Sequence, residues 1–416
     1  MHLLPCGALS QAMYLSGSKW SVTKRRRRTH PGRILLLLGA IGALLYVERV
    51  VVPVVPPLFV PTPTATQSPA LYVLEAQSLF QAGKLEQAQE AYRKAIAVDP
   101  RQPAYYIELS RIQVFAGDYE DAERNARNAL LIEPESPLAH AVLAWALDFQ
   151  GEVIEAEAEI QRALELDSNS ALSHAYHAEI LMDGNAYEDA LAAARRAIEL
   201  DPNLMESHRA LGYVWELTSN YDDAFQEYQA AIRIHPNLSL LYLSLGHMYL
   251  AQGDGATAIQ TYLQASQLAP TNPEPLLWIA QAYARVGEYG KASQYAEQAM
   301  ELDPGDPYLH GNLGRMYYKN NQFEDAIREL EIAIRGRAEG EEPRVQGLPL
   351  KPEDARVVEF YYSYGLALAK GGRCPEAIPI FEALLLGVPA DETAVANATE
   401  GLVLCGQIEP TPTPRP

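Results

Sequence analysis

The stretch MESHRALGYVWELTSNYDDAFQEYQAAIRIHPNL, residues 205–238, decides how the whole chain folds. From Glu206 to Thr218 the apolar residues Leu211, Val214 and Trp215 fall at helical spacing. Ser219 and Asn220 interrupt that helix, and Tyr221–Ile234 forms a second amphipathic helix through Ala224, Tyr228 and Ala231. His235-Pro236-Asn237 ends it, because proline cannot continue a helix interior. Two short antiparallel helices cannot bury their apolar faces alone, so the unit requires copies of itself on either side.

The copies are there. Eight alanines stand 34 residues apart: Ala88, Ala122, Ala156, Ala190, Ala224, Ala258, Ala292 and Ala326. A second ladder follows seven positions behind, from Ala95 through Ala129, Ala163, Ala197, Ala231, Ala265 and Ala299 to Ala333. Counted within one unit these are positions 20 and 27, where a larger side chain would push the two helices apart. Position 8 is small as well, with Ala76, Ser110, Ala144, Ala178, Gly212, Gly246, Ala280 and Gly314. Proline recurs at position 32, at Pro100, Pro134, Pro202, Pro236, Pro270 and Pro304.

This pattern resembles the tetratricopeptide repeat family, and the resemblance spans residues 69–340 as eight units. It implies an all-α chain, an α-solenoid of helix-turn-helix units wound into a right-handed superhelix. A ninth unit is expected at 358–391, where Tyr361, Tyr364, Gly365, Leu368, Ala377, Phe381 and Pro389 fit the pattern, with Leu384 in place of the second alanine. Residues 341–357 interrupt the period as an acidic insertion with three prolines, a candidate bend. Thr393–Cys405 reads as a capping helix within 392–409, and 410–416 as a disordered Pro/Thr tail.

The N-terminus sets the compartment. Lys19, Lys24, Arg25–Arg28 and Arg33 form a basic segment, 1–33, before an apolar run at 34–55 that is broken only by Glu48, Arg49 and Pro53. The positive-inside rule keeps the basic end in the cytoplasm and exports the rest. A run of this length reads as a transmembrane signal anchor, with its two charges near the outer face. A cleavable signal peptide is the alternative, and the absence of a small-residue cleavage motif after the run disfavours it. Cys6 precedes the run and is no lipobox. Residues 56–68, rich in Pro and Thr, form an extended spacer.

The repeat region is acidic. Residues 1–68 hold eight Lys/Arg and one acid, leaving 25 basic and 52 acidic side chains beyond, a net of −27. Such a field repels phosphate backbones, so no nucleic acid partner is expected. No phosphate loop, nucleophile elbow, zinc spacing or calcium loop occurs, and neither an enzyme nor a cofactor is expected. His140, His174 and His208 are 34 apart, but they share position 4 with Tyr72, Tyr106, Tyr242 and His310, so the position reads as an aromatic slot. A metal site is the weaker reading, because equivalent helices lie about 9–10 Å apart. Cys374 and Cys405, 31 residues apart in an exported chain, read as a disulfide that pins the capping helix. Two unpaired small hydrophobes are the alternative.

In the resembled family the first helices line a concave groove through positions 2, 5, 9, 12 and 13. Carried over, the resemblance points to Arg111, Trp145, Glu179, Tyr213, His247, Gln281, Arg315 and Leu366 at position 9. Phe115, Phe149, Arg209, Arg285, Asn312, Tyr318 and Lys319 lie nearby. Aromatics and arginines anchor interfaces, so Trp145, Phe149 and Tyr213 are expected to be exposed and to hold a protein or peptide. The Lys-and-Asn clamp by which some members grip a terminal carboxylate is missing from every unit. The expected role is a membrane-anchored, extracytoplasmic scaffold for envelope complexes. Self-association of the repeats, or an accessory role beside a glycan-processing enzyme, are the alternatives.

Overall fold

Each unit must reverse direction within two or three residues, and position 15 does so with positive φ nine times: at Gly83, Gly117, Gly151, Asn185, Ser219, Gly253, Gly287, Asn321 and Gly372. Only glycine adopts this conformation without cost, and asparagine is the best tolerated substitute. The computed structural model describes residues 31–47, 49, 68–337 and 342–409. It comprises two units, 1–66 and 67–416.

In the first unit α1 spans Pro31–Tyr46, and its apolar side chains are exposed. At 1.5 Å per residue it is about 24 Å long, against a hydrocarbon core of about 30 Å. Among the described residues no helix is long and apolar enough to cross a membrane. The expected transmembrane span therefore has no support there. Residues 1–30, 50–67 and 410–416 lie outside the described residues, and with them most of the basic segment, the end of the apolar run, the spacer and the tail.

The second unit is all-α, a stack of nine helix pairs closed by a single helix. The pairs are α2 and α3 (Pro69–Gln81, Leu85–Val98), α4 and α5 (Pro103–Ala116, Tyr119–Ile132), α6 and α7 (Pro137–Phe149, Val153–Leu166), and α8 and α9 (Ala171–Asp183, Tyr187–Leu200). Next come α10 and α11 (Met205–Leu217, Tyr221–Ile234), α12 and α13 (Ser239–Ala251, Gly255–Leu268), and α14 and α15 (Glu274–Arg285, Tyr289–Leu302). The last are α16 and α17 (Pro307–Lys319, Phe323–Arg335) and α18 and α19 (Ala355–Lys370, Cys374–Gly387), with α20 (Glu392–Leu404) at the end.

All sixteen ladder alanines are fully buried between paired helices. Position 8 is matched in volume to position 24. Gly212, Gly246 and Gly365 face Tyr228, Tyr262 and Phe381, and a Cβ added at any of them would lie under 3 Å from the ring. Ser110, Ala178 and Ala280 sit in units whose position 24 is itself alanine. The insertion does not break the stack. Gly336 turns the chain back, Arg337 and Leu348 donate to the carbonyls of Val345 and Ala333 at 3.1 and 2.9 Å, and α17 packs directly on α18. Gly401 lets α20 approach Phe381 closely, and Cys374 is bonded to Cys405 across a Cα–Cα distance of 5.5 Å.

The first helices α4, α6, α8 and α10 pack side by side, which bends units 1–5 into a tight arc. The arc closes on itself. Asn237 Nδ2 donates to the Gln81 carbonyl at 2.8 Å, Thr271 to Glu86 at 3.1 Å, and the Phe80 ring lies 4.7 Å from His235. Leu238 and Leu241 join the same core as Ala76 and Phe80.

Candidate functional site

The interior of the closed arc is filled by its own side chains. Trp145 is fully buried, stacked 4.2 Å from Tyr176 and edge-on to Phe115 at 5.0 Å. Its Nε1 donates to Glu179 at 2.9 Å, and Glu179 also accepts from Arg209 at 2.6 Å. The Arg209 guanidinium lies 4.9 Å from the Trp145 ring centroid. One turn away Arg111 pairs with the buried Glu206 at 2.7 Å and lies over Phe80. Burial alone would weaken the Arg111 cation, but Glu206 outweighs that and holds its proton more tightly than usual.

This corrects the groove expected from sequence. Trp145, Glu179, Arg209 and Phe115 are buried, and Arg111 is committed to Glu206, because closure of the arc turns what would be a concave surface into a core. Leu366 is buried too, and Asn312 is buried with its amide donating to the Tyr308 carbonyl at 2.9 Å. Breaking one partner of such a pair costs about 3–5 kcal/mol, because the other charge stays buried and unpaired.

A rim survives where the first helices end. Phe149 is 40% exposed and stacks on Tyr119 at 4.9 Å. Next to it Asp148 is only 7% exposed, and its side chain makes no hydrogen bond among the described residues, with Oδ1 sealed from solvent. Burial, then the charges of Asp183 and Glu179, push its carboxyl up to about 8 against the pull of Arg209. Half-buried Tyr213 donates to Asp183 at 2.6 Å.

Units 6–9 present a different face. His247 packs edge-on against half-buried Trp278 at 4.2 Å, and Gln281 is half-buried beyond it. Arg285 and Lys319 are exposed with no acidic partner among the described residues. Arg315 pairs with Glu359, while Lys370 donates to the Tyr318 hydroxyl at 3.0 Å. The helices α14, α16 and α18 each end in a basic residue, whereas α2, α4, α6, α8, α10 and α12 do not.

The histidines at position 4 staple units together. His140, His208 and His310 each reach a Glu nineteen residues on, at 2.5, 2.7 and 2.7 Å, and the carbonyl of the preceding position-32 proline at 3.1, 3.0 and 3.2 Å. Tyr106 and Tyr242 donate to the equivalent carbonyls at 3.3 and 2.8 Å, so either ring serves. His174 reaches the carbonyl of Ser168, which stands at the preceding position 32 in place of proline, at 3.1 Å. The Glu227 carboxylate is the main cause that raises the His208 pKa above its usual value.

Comparison with known proteins settles the family. Profiles described as tetratricopeptide repeat match residues 79–145, 116–180 and 284–348, and 177–239; one described as TPR repeat matches 246–287. The chain belongs to the tetratricopeptide repeat family. No curated protein matches the sequence. Among solved structures, this tetratricopeptide chain shares its fold with the APC/C hetero-tetramer Cut9–Hcn1, at 14% identity and a TM-score of 0.54 over 89% of this chain and 82% of that one. A tetratricopeptide repeat protein from Parabacteroides merdae matches at 16% identity and a TM-score of 0.40, covering 59% of this chain and 98% of its own. Pseudomonas aeruginosa pilF matches at 25% identity and a TM-score of 0.36, covering 49% and 92%.

Sequence reading of this tetratricopeptide array overlooked Glu206, Trp278, Glu359 and the acids Asp148 and Asp183. Glu206 and Glu359 do have a signal, since each stands at position 2 facing an arginine at position 9 of another unit. Asp148 has none, because an acid in a helix's last turn reads as solvated.

Proposed function

We propose that this protein is a membrane-anchored, extracytoplasmic scaffold that holds a protein or peptide partner along the first helices of units 6–9, and so tethers or assembles cell-envelope complexes. A tetratricopeptide array is a protein-interaction scaffold, and that much follows from the family. The observation that carries the choice of face is the contrast between arcs. Units 2–5 commit Arg111, Arg209 and Trp145 to buried glutamates, whereas units 7 and 8 leave Arg285 and Lys319 without an acidic partner among the described residues, beside Gln281 and Tyr318. Export is supported by the basic block ahead of an apolar run and by a disulfide, a bond that persists in oxidising compartments.

Photo-crosslinking in intact cells tests the face. A crosslinker at Gln281 or Tyr318 is expected to trap a discrete partner, and one at Leu131, which is exposed on a second helix, is not. Equal trapping at all three would rule the face out. Protease added outside the cells should digest the repeats, and full protection would refute export.

A further inference from the structure

Every other strongly buried acid of the arc has a cation. Glu206 has Arg111, and Glu179 has Arg209. The Asp148 side chain alone makes no hydrogen bond among the described residues, and its Oδ1 is sealed from solvent. The groups facing it from neighbouring helices are Asp183 and Glu179 on α8 and Arg209 and Tyr213 on α10. Arg209 is held by Glu179, and Arg111 on α4 by Glu206 and Glu108, so neither is free to turn to Asp148. Asp183 is exposed, its carboxylate held by the Tyr213 hydroxyl at 2.6 Å. A carboxyl buried beside other acids with no donor is costly to ionise, so it either keeps its proton or is completed by a cation.

We propose that the Asp148–Asp183–Tyr213 cluster seats a lysine or arginine side chain of the bound partner, with the Phe149–Tyr119 stack receiving that residue's apolar neighbour. This rests on the reading of the protein as a peptide-binding scaffold, not on the face assigned to units 6–9, and adds a separate contact on units 3–5 that calls for a basic side chain. A phosphorylated or acidic segment would be repelled here. The site also has a proton ledger. Unoccupied, Asp148 keeps its proton at neutral pH, held there by burial and by Asp183 and Glu179. An entering ammonium or guanidinium must displace it, so the O–H bond breaks, the proton passes to buffer, and a carboxylate–cation pair forms. Exposed carboxylates, already ionised, release nothing.

The test uses the full-length chain in detergent and arrayed short peptides that contain a single lysine, each with a norleucine twin. The best binder goes to calorimetry in phosphate and in Tris, whose different ionisation enthalpies report proton release. The lysine peptide is expected to bind at least about tenfold more tightly than its twin and to release close to one proton. Asp148→Asn should abolish both the preference and the release. Glu188→Gln with Asp189→Asn, the same kind of charge loss at the exposed start of α9, should leave both intact. A lysine preference that survives Asp148→Asn, or binding without proton release, would overturn the site. Peptides that bind with no charge preference would sink the site and leave the scaffold reading standing. Absence of any binder together with no crosslink at Gln281 would remove both.

Discussion

Position 9 of the first helix carries Trp145 and Glu179 in units 3 and 4, and Gln281 and Arg315 in units 7 and 8. In the first arc those side chains are buried and bonded to each other; in the second they are only half-buried. The backbone unit is the same, and its alanine ladders are equally buried in both arcs. The difference is curvature. Where α6, α8 and α10 pack side by side, Trp145 and Glu179 become core, and where α14 barely touches α16, Gln281 stays part-exposed.

Four measurements press on that contrast. The largest effect belongs to Arg209→Met, which strands Glu179 and should cost about 3–5 kcal/mol in urea unfolding. Adding Glu179→Leu should recover much of it. Arg315→Met should cost less, about 1–2 kcal/mol, because the Glu359 it strands is partly exposed rather than sealed. Comparable losses from both arginines would erase the distinction between the arcs. Next comes the far end. Cys374→Ser with Cys405→Ser opens a loop with a separation of 31 residues, worth about 3–4 kcal/mol in the chain-entropy model. Hydrogen exchange should rise in α20 while the closed arc stays protected.

The third is pH dependence. The Asp148 carboxyl is raised from 3.8 to about 8 in the folded chain, so between those values the folded state keeps a proton that the unfolded state has lost. Stability from this group is full below about 4 and falls as pH rises through about 8, by a few kcal/mol at most. Asp148→Asn should flatten that slope, and an unchanged slope would mean that the group titrates normally. The smallest effect tests the seam. Gly83→Asn keeps a residue type already found at positive φ in Asn185 and Asn321, but its Cβ would lie 2.0 Å from the Asn237 carbonyl oxygen. It should cost about 1–3 kcal/mol and enlarge the particle in X-ray scattering. Gly117→Asn, with nothing within 4 Å, should do neither.

The repeat was legible in the sequence because it is local physics. A small residue at positions 8, 20 and 27, a turn at 15 and a proline at 32 each act within one unit or between neighbours. Curvature is not local. It depends on how first helices of successive units meet and on the contact of Phe80 with His235, which no spacing rule reports. That is why Trp145 reads as an interface anchor and turns out to be core. Its partners were in plain view, since Glu179 lies 34 residues on and Arg209 another 30, but an acid, an arginine and a tryptophan on a groove also describe a binding surface. The sequence distinguishes the two only when each buried acid is matched to a cation, and Asp148 is the acid left without one.

The seam between Gln81 and Asn237 bears on how such a chain can change over generations. An open repeat array unfolds and refolds piecemeal, and a unit can be added or lost at small cost, because each touches only its neighbours. The hydrogen bond from Asn237 to Gln81 spans 156 residues and locks the number of units that lie between its ends. One extra unit there would carry the two ends past each other and expose the tryptophan and its arginine. Among the described residues beyond the seam no bond of that sequence span recurs. The chain thus has a block whose length its own closure fixes, followed by a stretch whose length is free to vary.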